Sequence, residues 1–267
     1  MAKAMGSRRE LIRDELLNQG EIEFSTLAMR FRVSEMTIRR DIESLEAEGV
    51  ARKIIGGAIA LGKSAEPTFE ARSNLDVESK QHMAEAVVGQ LSAHETVILD
   101  SGSTVLAVAR AIRGRALGLT VITPSLLVAI ELSEEPDTSV LVTGGLIRPG
   151  ELSLIGAEAA ETYRRYNCDT FVMGVAGVHE QRGFTDYHRD ESAVKRAAID
   201  ASDRLIVVAD HSKMGRAHFC NIAPLSAADV LVTDEVTDSP LIASAVTAGV
   251  SVISSPHPTD TSSETAQ

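Results

Sequence analysis

Phe31-Arg32-Val33-Ser34-Glu35-Met36-Thr37-Ile38-Arg39-Arg40-Asp41-Ile42 joins a tight turn, a helix cap and two adjacent arginines in twelve residues. At about 100° per residue, Ile38, Ile42 and Leu45 share one narrow sector, the stripe that a short helix buries. Met36, Thr37, Arg40 and Ser44 take the opposite side, with Arg39 at its flank. Ser34 stands where its hydroxyl can accept from the first-turn amides, and Gly49 stands where a left-handed stop is expected. The side that faces away from the stripe is small, polar or basic, the set able to enter a DNA major groove.

Upstream, residues 8–19 are expected to form a helix with Leu11, Ile12, Leu16 and Leu17 as its apolar side. Residues 25–30 form a shorter one, with Leu27 and Phe31 one turn apart. Helix, short helix, turn through Arg32-Val33, and third helix make a helix-turn-helix whose last member lies in the groove. Downstream, Val50 to Ile55 is β-branched and ends at Gly56-Gly57, which predicts a β-hairpin wing. Arg52 and Lys53 on it can reach phosphates, contacts that set register without reading bases.

Ser34 to Glu46, followed by Gly49 and the Gly56-Gly57-Ala58 wing, resembles the N-terminal domain of DeoR-type bacterial transcriptional repressors. That resemblance implies double-stranded operator DNA as a partner. Ser34, Met36, Thr37, Arg39, Arg40, Ser44, Arg52 and Lys53 are the candidate DNA contacts. Many members carry His before the wing glycines, where this chain has Ile55.

The formal charge of −12 divides unevenly. Residues 1–60 hold ten basic and ten acidic residues, so the remainder, with 16 basic and 28 acidic, carries the whole excess. A neutral head on an acidic body adheres poorly to DNA at random, because that adhesion follows positive charge. Specific binding then calls for two heads at once, and a homodimer or homotetramer is expected. Cys168 and Cys220 show no pairing pattern, the N-terminus shows no apolar leader, and no run approaches about 18 apolar residues. A reduced, cytoplasmic location without membrane contact follows, nucleoid-associated when on DNA. The absence of Trp, with only three Tyr, argues against single-strand nucleic-acid binding.

The expected organisation is a winged helix-turn-helix at 1–60, a linker at 61–76 around Pro67, an α/β domain at 77–253 and a disordered tail at 254–267. Within 77–253, apolar runs at 97–99, 119–123, 140–142, 171–175, 205–209 and 230–233 alternate with helices near 104–113, 125–132, 157–166, 192–201 and 240–248. That alternation predicts a largely parallel sheet covered on both faces, with ligands at the carboxyl ends of its strands.

Those ends collect polar residues. Asp100-Ser101-Gly102-Ser103-Thr104 offers hydroxyls, a glycine and helix N-terminal amides, which suit an anion. Thr123-Pro124-Ser125 and Thr143-Gly144-Gly145 close the next two strands, and Arg148 or Lys213 can supply charge to a phosphate. Glu191 and Lys195 stand at i, i+4, the spacing of an exposed helix ion pair. His188, His211 and His218 lack metal-ligand spacing, so no metal and no cofactor is expected.

Asp100 to Thr104, Thr143-Gly-Gly, Gly174 to Gly177, Gly183-Phe-Thr with Glu191 and Lys195, and Ser212-Lys213-Met-Gly look like the sensor domain of DeoR-type regulators. That domain is similar in fold to ribose-5-phosphate isomerase. The resemblance implies a phosphorylated sugar or polyol effector, with Ser101, Gly102, Ser103 and Thr104 on its phosphate and Ser125, Gly144 and Lys213 completing the pocket. Asp100, Thr123, Gly145, Arg148 and Glu191 complete the effector candidates. The stretches 186–188 and 210–216 look most like glycerol-3-phosphate-responsive members. Many members have Asn at Pro124, and Ala176 stands where relatives are often acidic. An enzyme of the isomerase kind, using Glu191 as base and Lys213 as electrophile, is the alternative; Ala176 removes the second carboxylate it would need.

Overall fold

The computed structural model describes residues 8–13, 15–16, 21–47, 50–60, 66–235 and 238–255. Two compact units meet between Leu75 and Asp76.

In the first unit, helix α1 includes residues 8–13 and 15–16, and is followed by strand β1 (Glu21–Glu23), α2 (Phe24–Phe31) and α3 (Glu35–Ala47). Arg32 closes α2 in the left-handed conformation, φ 53°, which lets the chain reverse in three residues. Ser34 Oγ accepts from the Thr37 amide at 3.3 Å, the expected cap. Ile38, Ile42 and Leu45 are sealed against Ile12, Leu16, Phe24 and Leu27 in one core. Gly49 and Leu17 lie outside the described residues.

The wing is β2 (Ala51–Ile54) and β3 (Gly57–Ala60), antiparallel, turning through Gly56 at φ 80°. β1 adds a third strand against β3, which periodicity did not predict. Three residues are too short to show alternation, and β1 is recognisable only from its partner.

In the expected linker, Thr68 caps a short helix, α4 (Phe69–Asn74), accepting from the Ala71 amide at 3.2 Å. Arg72 pairs with Glu66 at 3.3 Å. The part of 61–76 that follows Pro67 is therefore a local helix and not irregular chain. Residues 61–65 lie outside the described residues.

The second unit opens with α5 (Val77–Val88) and continues as β4 (Thr96–Leu99), α6 (Ser103–Ile112), β5 (Thr120–Thr123), α7 (Leu126–Leu132) and β6 (Ser139–Val142). A two-stranded ribbon follows, β7 (Leu146–Arg148) and β8 (Ser153–Ile155), then α8 (Ala157–Tyr163) and β9 (Cys168–Gly174). β10 (Gly177–His179) and β11 (Gly183–Asp186) lead to α9 (Arg189–Asp200) and β12 (Ser202–Val208). The unit ends with β13 (Cys220–Ala223), β14 (Val230–Thr233), α10 (Pro240–Thr247) and β15 (Ser251–Ser254).

Seven strands form one parallel sheet in the order β15-β14-β12-β9-β4-β5-β6. Ile98, Ile122, Phe171, Met173, Val207 and Leu231 pack with α8, α9 and α10 on one face. Alternate residues, Val97, Leu99, Val121, Val172, Ile206 and Val208, are sealed towards α5, α6 and α7. Burial on both faces is why these strands read as continuous apolar runs. The expected α/β class and strand positions hold. Departures are the end of α8 at Tyr163, three residues early, the strand β15 reaching Ser254, and a small antiparallel sheet of β10, β11 and β13. Residues 256–267 lie outside the described residues.

Candidate functional site

In the first unit α3 turns its polar side to solvent. Ser34, Met36 and Arg40 are exposed, and Thr37 and Ser44 are half-buried. Arg39 is held locally: its guanidinium stacks 4.7 Å from the Phe24 ring and lies 4.0 Å from Glu35. Ser44 Oγ donates back to the Arg40 carbonyl at 3.3 Å. On the wing Arg52 is exposed, whereas Lys53 reaches back to Glu43 at 2.7 Å, and its amide donates to Glu46 at 2.9 Å. Ile55 at the wing tip is fully exposed. Arg8 donates to Asp41 from Nε at 2.7 Å and from Nη2 at 3.2 Å, a two-pronged clamp between α1 and the sealed side of α3. Asp41, which the sequence reading assigned to neither side of the helix, is buried.

In the second unit the candidates converge on the carboxyl edge of the sheet. Asp100 to Thr104 lead from β4 into α6, with Gly102 at φ 102° and no protein atom within 4 Å of where its Cβ would stand. The side chain of Thr123 accepts from the Ser125 amide at 3.0 Å, and Ser125 Oγ accepts from Val128 N at 3.3 Å, capping α7. Both side chains therefore shape the loop after β5. Thr143, at the end of β6, is buried with its hydroxyl unpartnered. Gly145 stands at φ 118°, where a Cβ would meet the Ile155 carbonyl at 2.5 Å; only glycine lets the chain pass there.

Lys213 follows β12 in a turn capped by Asp210. Its ammonium donates to Ser212 Oγ at 3.1 Å and lies 3.7 Å from Asp210 Oδ2. Beside it, His211 bonds Asp234 through Nδ1 at 3.1 Å and through its backbone amide, and Asp234 also accepts from Ser79 of α5. The Asp234 hydrogen bond holds the imidazole pKa up at about 9.

The expected Glu191–Lys195 surface pair does not form. Both side chains are buried and turn to different partners. Glu191 takes Arg148 and accepts from Ser153 Oγ at 2.6 Å, which ties α9 to the ribbon. Lys195 bonds Asp100, the Gly174 carbonyl at 2.8 Å, and lies 3.5 Å from Asp186. Burial opposes its charge, but the carboxylates of Asp100 and Asp186 outweigh that and hold the ammonium protonated. An i, i+4 spacing identifies a shared helix face; it does not say that the face is interior. Thr143 and Lys195 stood in the sequence motifs without being named as effector contacts, and Asp186 and Ser153 were not singled out, because their partners are set by contacts between separate elements.

Arg148 is paired with Glu191 and Lys213 more loosely with Asp210, while the Thr143 hydroxyl at this edge has no partner. Among the described residues no cluster of His, Cys, Asp or Glu is arranged to hold a metal, and no helix is long and apolar enough to cross a membrane.

Two family patterns match this chain: a DeoR-like helix-turn-helix domain over residues 8–63, and the DeoR C-terminal sensor domain over residues 75–235. A putative aga operon transcriptional repressor of Escherichia coli O157:H7 is 32% identical over 249 residues, 92% of each chain. The regulator GolR of Listeria innocua is 33% identical over 89% of this chain and 94% of its own length. The glycerol-3-phosphate regulon repressor of Escherichia coli K12 is 29% identical over 81% and 85%. Among solved structures, ribose 5-phosphate isomerase A of Methanocaldococcus jannaschii aligns over 52% of this chain and 55% of its own, with 15% identity and a TM-score of 0.39.

Proposed function

Because this chain belongs to the DeoR family of transcriptional regulators, which it matches in both the reading domain and the sensor domain, we propose how its two units share the work of a repressor. The first unit reads a double-stranded operator through Ser34, Met36, Thr37 and Arg40 of α3, with Arg52 on phosphate. Arg39, Ser44 and Lys53 support that surface from their internal bonds. The second unit binds a phosphorylated sugar or polyol at the carboxyl edge of its sheet, and the chain acts as a homo-oligomer in the cytoplasm on a carbohydrate or polyol operon.

One observation supports the effector reading most. The open approach at Gly102 and the amides of α6 follow the interior strand β4, with the unpartnered hydroxyl of Thr143 two strands to one side after β6 and the Lys213 ammonium two strands to the other after β12, so the carboxyl edge offers donors to a phosphate and to the sugar or polyol that carries it. Asp100 and Glu191, by contrast, are already engaged by Lys195 and Arg148. A base that must take a proton from a sugar carbon needs a free carboxylate, so Glu191 is a poor one. Glu191 and Asp100 instead fix the walls of the pocket.

The test is binding of a selected operator duplex, followed by fluorescence anisotropy. Arg40→Ala is expected to lose specific binding by at least tenfold while phosphorylated ligands still raise the melting temperature. Unchanged operator affinity would remove Arg40 from the readout.

A further inference from the structure

Ten residues without a formal charge, Thr138 to Ile147, run between Asp137 and Arg148 in a chain of net charge −12. They build β6, the outermost strand on one side of the seven-stranded sheet, and begin β7, which among the described residues pairs only with β8. Among the described residues the second unit exposes ten large apolar side chains, and six of them, Ile130, Leu141, Val142, Leu146, Ile147 and Leu152, fall between positions 130 and 152. Leu146 is 71% exposed and Ile130 68%. Strands of a doubly wound parallel sheet are ordinarily covered on both faces, and free edges are ordinarily guarded by lysine or proline. β6 has neither guard, and both Leu141 and Val142, on opposite faces, meet solvent.

We propose that this face, centred on β6 and β7, is where a second copy of the chain docks. Two bodies that each carry an acidic excess repel, and an uncharged stretch is where they approach at least cost. A closed pair also requires a surface complementary to itself, and an edge strand supplies one: turned about a twofold axis normal to the sheet, it lies antiparallel to its own copy. Six such side chains offer on the order of a few hundred Å² of apolar surface, enough for the core of an interface of roughly 800 Å² per partner. The proposal rests on the reading that the chain acts as an oligomer, and it adds where the copies meet. It also puts that contact on the ribbon whose Arg148 and Ser153 grip Glu191 beside the effector edge. A shift of the ribbon when effector binds would then be felt by the partner subunit.

The experiment is sedimentation equilibrium of the full chain at micromolar concentration, for wild type, Leu146→Glu/Ile147→Glu, Ile130→Lys and the distant control Val246→Glu. Circular-dichroism melts establish that each variant folds. Wild type and Val246→Glu are expected at twice the chain mass or a higher even multiple. The double variant is expected at the monomer mass with its cooperative melt kept, since both side chains are solvent-exposed. Should the double variant fail to fold, Ile130→Lys decides, with at least a tenfold weaker self-association expected. A monomeric wild type would overturn the oligomer reading itself. An oligomeric wild type matched by folded variants of unchanged mass would overturn only the placement of the interface.

Discussion

Asp41 carries the clearest consequence of a single side chain. The carboxylate is sealed beneath α3 and clamps Arg8 with two hydrogen bonds, so removing it strands a guanidinium in a place shaped for a pair. Asp41→Ala is expected to destabilise the first unit by about 3 kcal/mol in urea unfolding. A loss below about 0.5 kcal/mol would mean that the clamp is incidental. His211 gives a pH signature. Its folded pKa of about 9 stands above the ordinary 6.5, so the stability it lends is complete below pH 6.5 and is lost as pH rises through 9. Urea midpoints measured from pH 6 to 10 should therefore fall more steeply for wild type than for His211→Ala, and parallel curves would contradict the Asp234 pairing. At this scale the residues were only partly legible. Ser34 announced its cap because capping is local in sequence. Arg148 lies 43 residues from Glu191 and Asp100 lies 95 residues from Lys195, and helical spacing carries no information about such pairs.

Among elements, the strands and long helices of the sensor were readable because parallel strands buried on both faces leave uninterrupted apolar runs between amphipathic helices. What escaped was short or dependent on contacts distant in sequence: β1 in three residues, the β7–β8 ribbon, and the sheet of β10, β11 and β13. Each is stabilised by pairing with another segment, which a window of local sequence cannot contain. α4 escaped because Pro67 marks a boundary without saying that a capped turn follows it. The ribbon is also where a small change should have a large effect. Gly145→Ala would place a methyl 2.5 Å from the Ile155 carbonyl in a left-handed backbone, so the ribbon must shift. A loss of about 1–3 kcal/mol is expected by urea unfolding, together with a weakened effector-induced rise in melting temperature. Wild-type behaviour on both counts would show that the ribbon is not coupled to the pocket.

For the whole molecule, the division of charge is the organising fact. A head with equal numbers of basic and acidic residues, attached to a body that holds the entire excess of −12, has little sequence-independent grip on DNA. In the proposed homo-oligomer, operator recognition depends on a few contacts made twice, and anything that changes the spacing of the two heads would change affinity. An effector that favours one arrangement over the other by roughly 1–3 kcal/mol alters operator affinity about 5- to 150-fold. The measurement that tests this most directly is anisotropy of a selected operator duplex with wild type and with Lys213→Ala, each titrated with phosphorylated three- to six-carbon sugars and polyols. At least one compound is predicted to shift wild-type affinity within that range, while Lys213→Ala binds the duplex normally and does not respond. A panel that leaves wild-type affinity unchanged throughout, or a normal dose-response in Lys213→Ala, would contradict it.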